Sequence, residues 1–281
     1  MSIRNKLILT LKNIIRKLLP LFFRKYLAKK ISLQTWLSSD QRAGWSLELV
    51  RDMATLNVNE YHKFLWSNHI GYADTYEVEQ RFGTENINES RKLLFDDMIK
   101  SLNSLKIDYQ NDINSVLDIG CSLGYLLKYM ENSLFTNASE LHGIDIDAYA
   151  IEEGSSYLQA HDSKIKLTCL DMEDIAKHLN NKSYDIVFCA GTLIYLDQNK
   201  AINLIENLLQ HSNKLLVLTG LASPETDNKN LTQSTVRQRD GSFIHNIDSM
   251  LKNTGGNIVF RRWEGKKMAG GNSLYFVFAT P

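Results

Sequence analysis

Cysteine is scarce in this chain: three in 281 residues, Cys121, Cys169 and Cys189. An odd count at such wide spacings builds neither a disulfide framework nor a metal-ligand pattern. Each thiol closes an apolar run read below as a buried strand, so all three are expected to be small core residues in a reducing cytoplasm. A long apolar run is missing as well. Charges break the most apolar stretch, at the amino terminus, too often for a spanning helix, which needs about 20 mostly apolar residues. There is no internal repeat, no low-complexity tract and no net charge, with 32 Lys and Arg against 32 Asp and Glu. At 43% hydrophobic and 23% charged residues, the composition is that of a globular protein with one substantial core and an appendage.

The zero net charge conceals a split. Residues 1–39 hold nine basic side chains (Arg4, Lys6, Lys12, Arg16, Lys17, Arg24, Lys25, Lys29, Lys30) and no acidic one. The remainder holds 23 basic against 32 acidic residues, a net charge of −9. Over residues 3–19 one helical face carries Ile3, Leu7, Ile14 or Ile15, and Leu18, while Lys6, Lys12, Arg16 and Lys17 lie largely elsewhere. Pro20 interrupts, and Leu21 to Ile31 repeats the pattern with Phe22, Phe23, Tyr26 and Leu27. Recurring charges and the lack of a small-residue cleavage site make a secretory signal a poor match. The expectation is a pair of amphipathic helices lying in an anionic membrane interface, peripheral on the cytoplasmic face. A helical extension that packs on the body, or forms an oligomer, is the alternative. Nucleic acid is not expected, because aliphatic residues outnumber the basic ones and no aromatic platform alternates with them.

Residues 40–112 read as a helical cap or lid, with Trp45 and Trp66 among its apolar positions. A break at Arg81-Phe82-Gly83-Thr84 precedes Asn88, the expected N-cap of a helix over Glu89–Ser104. From residue 113 short apolar runs alternate with helical stretches, as βαβ units do. The runs are Ser115–Ile119, Leu141–Ile146, Ile165–Cys169, Tyr184–Cys189, Lys214–Thr219, Asn257–Arg262 and Ser273–Ala279. A polar loop, Ala222–Gln238, follows the fifth, with a helix near Ile244–Lys252 closed by Gly255-Gly256. The last two runs leave no room for a helix and should pair antiparallel.

The first run ends in Asp118-Ile119-Gly120-Cys121-Ser122-Leu123-Gly124. A dinucleotide fingerprint would be G-x-G-x-x-G, yet Ser122 and Tyr125 stand at its second and third glycines. Asp118, two positions before Gly120, would repel a pyrophosphate but suits a cationic ligand. Both facts disfavour an NAD-dependent oxidoreductase. Asp145 ends the second run, 25 residues after Gly120, where a carboxylate can accept both hydroxyls of a ribose. Asp171 follows the third run, where it can accept from an exocyclic adenine amine. Ala190-Gly191-Thr192-Leu193-Ile194-Tyr195-Leu196 follows the fourth. Alone, Asp145 or Asp171 reads equally well as a helix N-cap, and the glycines as turn glycines. Together they mark the strand ends at which open α/β sheets bind ligands.

Over residues 113–281 the sequence resembles the class I S-adenosylmethionine-dependent methyltransferases. Asp118 to Gly124 is similar to that family's D-x-G-x-G-x-G turn, with Ser122 in place of the middle glycine. The resemblance implies a Rossmann-like α/β fold, a seven-stranded sheet of order 3-2-1-4-5-7-6 with strand 7 antiparallel. It implies S-adenosylmethionine as cofactor, held by Asp118, Gly120, Cys121, Ser122, Gly124, Asp145, Ile146, Asp171, Met172 and Ala190. Residues 191–196 are similar to a family stretch that often ends in Tyr-His-Leu, but here Ile194 and Tyr195 replace the Tyr and His.

Methyl transfer is an in-line displacement that needs mainly alignment and a dry site, while a hydroxyl acceptor also needs a base. His245 and Tyr195 are the catalytic candidates. His69 and Tyr72 lie where they could cap the pocket, and Arg81 and Arg91 could hold an acidic acceptor. No metal cluster is seen. With the basic head, the expected acceptor is a sugar of a membrane-assembled surface glycan, such as a lipopolysaccharide O-chain or its precursor. A lipid or quinone precursor, a small metabolite, and a catalytically silent cofactor-binding scaffold are the alternatives.

Overall fold

The computed structural model describes residues 18–71, 74–83, 87–265 and 274–281. The helix expected over residues 3–19 lies almost wholly outside these, as does Tyr72. Helices α1 (Leu21–Ser32), α2 (Ser39–Val50), α3 (Met53–Leu56) and α4 (Val58–Ser67) come first. They share a small core of Ala28, Val50, Met53, Tyr61, Leu65 and Ile70. Helix α2 starts at a capping box, in which Ser38 and Gln41 each satisfy the other's backbone N–H. Then come α5 (Val78–Phe82) and α6 (Glu89–Ser104). Asn88 caps α6 as expected, its side chain accepting the Arg91 N–H at 3.0 Å.

The seven sheet strands are β1 (Ser115–Ile119), β2 (Glu140–Asp145), β3 (Lys166–Cys169), β4 (Tyr184–Ala190), β5 (Ser212–Gly220), β6 (Asn257–Glu264) and β7 (Leu274–Thr280). Their order is β3-β2-β1-β4-β5-β7-β6. The first five run parallel, and β7 lies antiparallel to both β5 and β6. This is the order and direction that the family resemblance implied.

Alternation along the strands divides the core into two layers. Val116, Phe188, Val217 and Phe278 face α6 and the helices α7 (Tyr125–Tyr129) and α8 (Ala148–Ala160). Leu117, Val187, Leu216 and Val277 face α9 (Ile175–Leu179), α10 (Gln198–Gln210) and α11 (Ile247–Asn253). Each of these side chains is 0% exposed, and such burial stabilises by roughly 1.5–3 kcal/mol per residue. Across the first layer, buried Asp97 on α6 receives Arg262 Nε of β6 at 2.6 Å.

Two expectations need correction. Cys169 is exposed, whereas Cys121 and Cys189 are buried; it ends β3, the outer strand of the sheet, which has a neighbour on one side only. The helix placed near Ile244–Lys252 begins at Ile247, where Asn246 caps it by accepting the Ser249 N–H at 2.9 Å. Phe243–Ile244 instead pairs with Thr235–Val236 in a two-stranded hairpin reaching back into the polar loop. Among the described residues no helix is long and apolar enough to cross a membrane.

Candidate functional site

The turn after β1 is left-handed three times, at Gly120 (φ 76°), Ser122 (φ 53°) and Gly124 (φ 83°). A Cβ at position 120 would sit 2.2 Å from Thr192 Oγ1. That hydroxyl donates to the Ile119 carbonyl at 3.0 Å, tying the loop after β4 to the end of β1. Ser122 takes a conformation that costs an L-residue about 1–2 kcal/mol. Asp145 offsets part of this, because its Oδ2 accepts the Ser122 N–H at 2.8 Å. Its Oδ1 accepts the Asp147 N–H at 2.9 Å. Burial nevertheless pushes the Asp145 carboxyl up to about 6.

Asp118 lies just behind, 2% exposed, and its Oδ2 has no hydrogen-bond partner. Burial, then the nearby Asp145, push its pKa up to about 8. An unpartnered buried carboxyl oxygen is costly and fits a positively charged ligand above it. The missing side chain of Gly120 makes room for Thr192, which packs against the turn there.

A cleft of about 900 Å³ opens over this turn. From the sheet side it is lined by Gly120, Ser122, Asp145, Ile146, Asp171, Met172, Ala190 and Tyr195, all singled out in the sequence. Cys121 and Gly124 instead shape the turn from behind: Cys121 is 3% exposed and Gly124 is the N-cap residue of α7. From above, α4 contributes Asn59, His62, Lys63 and Trp66, and Thr75 completes the wall. Reasoning from sequence missed these. Their spacing of i, i+3, i+4 and i+7 marks one helical face, opposite the buried Tyr61 and Leu65, and that pattern was available.

His62 is 3% exposed, and neither ring nitrogen has a hydrogen-bond partner. Burial lowers its pKa, against smaller opposing effects of the Gly241 backbone and Asp240. Its ring lies 5.0 Å from that of Tyr195, which in turn lies 4.8 Å from Trp66. Tethers hold α4 down: Lys63 Nζ sits 2.5 Å from Asp171 Oδ2, and Asn59 donates to Asp197 at 2.7 Å.

Of the two catalytic candidates read from the sequence, Tyr195 lines the cleft and His245 is placed elsewhere. His245 does not line the cleft. It is 1% exposed, and its nitrogens are engaged by Ser234 Oγ at 2.7 Å and the Leu193 carbonyl at 3.0 Å. His245 is therefore a structural link between the hairpin and the loop after β4, and the sequence-based assignment is corrected on that ground. His69 is likewise committed, to Asp147 through Nδ1 and to Thr75 Oγ1 through Nε2 at 2.9 Å. Arg81 donates to Tyr125 Oη at 3.1 Å and Arg91 lies over the same ring. Neither arginine lines the cleft.

Residues 116–214 match the model of a family described as a methyltransferase domain. No curated protein matches the chain. Solved structures do. An S-adenosylmethionine-dependent methyltransferase from Clostridium acetobutylicum ATCC 824 is 13% identical, with a TM-score of 0.51 over 74% of this chain and 99% of its own. The magnesium protoporphyrin IX methyltransferase from Synechocystis PCC 6803, with bound SAH, is 17% identical at 0.50, over 73% and 92%. The [4+2]-cyclase SpnF is 12% identical at 0.51, over 66% and 80%. At such identities the likeness is one of fold, and a cyclase among the neighbours illustrates that fold alone does not set the reaction. The matched segment and the sheet order agree: residues 116–214 match a methyltransferase-domain model, and the fold around them is that of the class I methyltransferases.

Proposed function

We propose that the chain is an S-adenosylmethionine-dependent methyltransferase, that it methylates a hydroxyl of a sugar in a membrane-assembled surface glycan, such as a lipopolysaccharide O-chain or its precursor, and that His62 receives the hydroxyl's proton. The observation that carries the chemistry is His62, a buried imidazole on the cleft wall with both nitrogens unpartnered. An amine acceptor can lose its proton to water, whereas a hydroxyl needs a base in reach. Desolvation keeps this imidazole neutral near pH 7.

S-adenosylmethionine, when bound, supplies a methyl group already activated by the sulfonium charge. Asp145 is assigned the ribose hydroxyls, Asp171 with Met172 and Ile146 the adenine side, and Asp118 the positive charge beyond Gly120 and Ser122. The acceptor hydroxyl forms the new carbon–oxygen bond as the carbon–sulfur bond breaks, and its proton passes to a ring nitrogen of His62. The rings of Trp66 and Tyr195 give a sugar ring apolar faces to lie against, and α4 above them excludes water.

The test uses methyl-labelled S-adenosylmethionine with glycans, nucleotide sugars, quinone precursors and small metabolites offered separately. Label is expected in the glycan fraction. His62→Gln should lower kcat by about 10²–10⁴-fold with cofactor affinity unchanged. Label in a quinone precursor or metabolite would overturn the acceptor class. Full turnover by the His62 variant would remove the base, and no turnover with any acceptor would favour the silent scaffold.

A further inference from the structure

Helix α1 buries two polar side chains and leaves aromatic ones outside. Its buried residues are Arg24, Ala28 and Ser32. The Arg24 guanidinium, 5% exposed, reaches Asp52 Oδ1 at 2.7 Å, the Leu49 carbonyl at 2.8 Å and the Leu19 carbonyl at 3.1 Å. Ser32 Oγ donates to the Lys29 and Asn68 carbonyls. The polar face is thus satisfied and pinned against the helices behind it.

The outer face holds what a soluble helix normally buries. Phe22 is 75% exposed, Tyr26 56% and Phe23 40%, with Leu18 at 75% just before the helix. Leu33 and Trp36, at 49% and 75%, continue the surface just after it. Phe22 and Tyr26 are spaced four apart and share one face of the helix. Lys29 and Lys30 are exposed beside them, and Lys30 Nζ lies 5.7 Å over the Tyr26 ring. Phe23 and Tyr26 stack with ring centroids 6.4 Å apart, and large apolar side chains exposed together mark an interaction site.

Charge selects the partner. Residues 1–39 carry nine basic and no acidic side chains, so nothing in the segment repels an anionic surface. Aromatic rings interleaved with lysines suit the headgroup layer of a bilayer, where apolar bodies enter and charged tips stay wet. We propose that this face docks the enzyme on an anionic phospholipid surface, about parallel to the membrane plane. Each exposed lysine adds attraction that fades with salt. The proposal deepens the glycan reading by naming the partner surface. Its test contains no acceptor, so either can fail without the other.

The experiment is co-sedimentation of the full chain with phosphatidylcholine vesicles, with and without phosphatidylglycerol. Binding is expected to the anionic vesicles only, weakening as salt rises. The triple substitution Phe22→Ser, Tyr26→Ser, Trp36→Ser should weaken it at least about tenfold while leaving S-adenosylmethionine affinity unchanged. Lys29→Glu with Lys30→Glu should abolish the preference for anionic lipid. Equal recovery with both vesicle types, or with neither, would overturn the proposal. So would a dimer in solution that the triple substitution dissociates while vesicle binding is absent, which would assign the face to a second copy.

Discussion

Lys63 Nζ lies 2.5 Å from Asp171 Oδ2, an ion pair between helix α4 above the cleft and the loop leaving β3. Asp171 is also the N-cap of the short turn that follows, its Oδ1 accepting the Glu173 N–H at 3.0 Å. One carboxylate therefore shapes the cofactor loop and anchors the cover. The hydrogen bond to Asp171 is the main reason the Lys63 pKa is raised.

Lys63→Met keeps the aliphatic stem and removes the charge. The lysine side of the pair is 56% exposed, so the stability cost should stay below about 1 kcal/mol and the melting temperature should hardly move. The expected effect is kinetic. Dissociation of S-adenosylmethionine, followed by stopped-flow tryptophan fluorescence, should speed up about 3–10-fold as α4 opens more readily. An unchanged rate would mean that α4 does not gate the cleft.

Asp118 makes the stability of the unliganded protein depend on pH. Folded, its carboxyl keeps a proton up to about pH 8, whereas the unfolded value is 3.8. Between these values the folded state binds more protons than the unfolded one, so stability falls as pH rises. Asp118→Asn is neutral throughout and should remove most of that slope, leaving the part due to Asp145 below about pH 6. In urea titrations the variant should match the wild type near pH 4 and exceed it by about 1–3 kcal/mol at pH 8. Affinity for S-adenosylmethionine should fall in the same variant. An unaltered slope would mean that Asp118 is already ionised when folded.

Gly120→Ala combines a left-handed backbone with a clash against Thr192 Oγ1 at 2.2 Å. Its cost should be about 2–4 kcal/mol, adding backbone strain to overpacking. Thr192→Gly in the same chain removes the obstructing side chain and should recover part of that loss by thermal unfolding. If the double variant is no more stable than expected from adding the two single changes, the contact is not the cause.

Fold and site were legible to different degrees. The strands between residues 115 and 220 stood out because parallel strands covered on both faces are nearly continuous apolar runs. The Asn88 cap was equally plain, being a local side chain-to-backbone bond. The helix start at Ile247 was misplaced because Phe243 and Ile244 look as apolar in a helix as in a strand, and only pairing with Thr235 and Val236 decides. Cys169 shows the converse, since an apolar run does not reveal whether its strand has neighbours on both sides.

The turn from Asp118 to Gly124 and the carboxylates Asp145 and Asp171 were set by the sequence itself. They sit at strand ends in chain order, and parallel crossovers bring those ends to one edge of the sheet. The choice among the histidines was decided by tertiary structure alone. His245 lies between the strand Phe243–Ile244 and α11, and His62 in a helix 183 residues earlier, and neither position states which ring keeps free nitrogens. The fold consumed both nitrogens of His245 in internal hydrogen bonds and placed the His62 ring in the cleft wall beside Gly241. A side chain's chemical availability is what remains after packing has claimed its partners, and that remainder is a property of the folded whole.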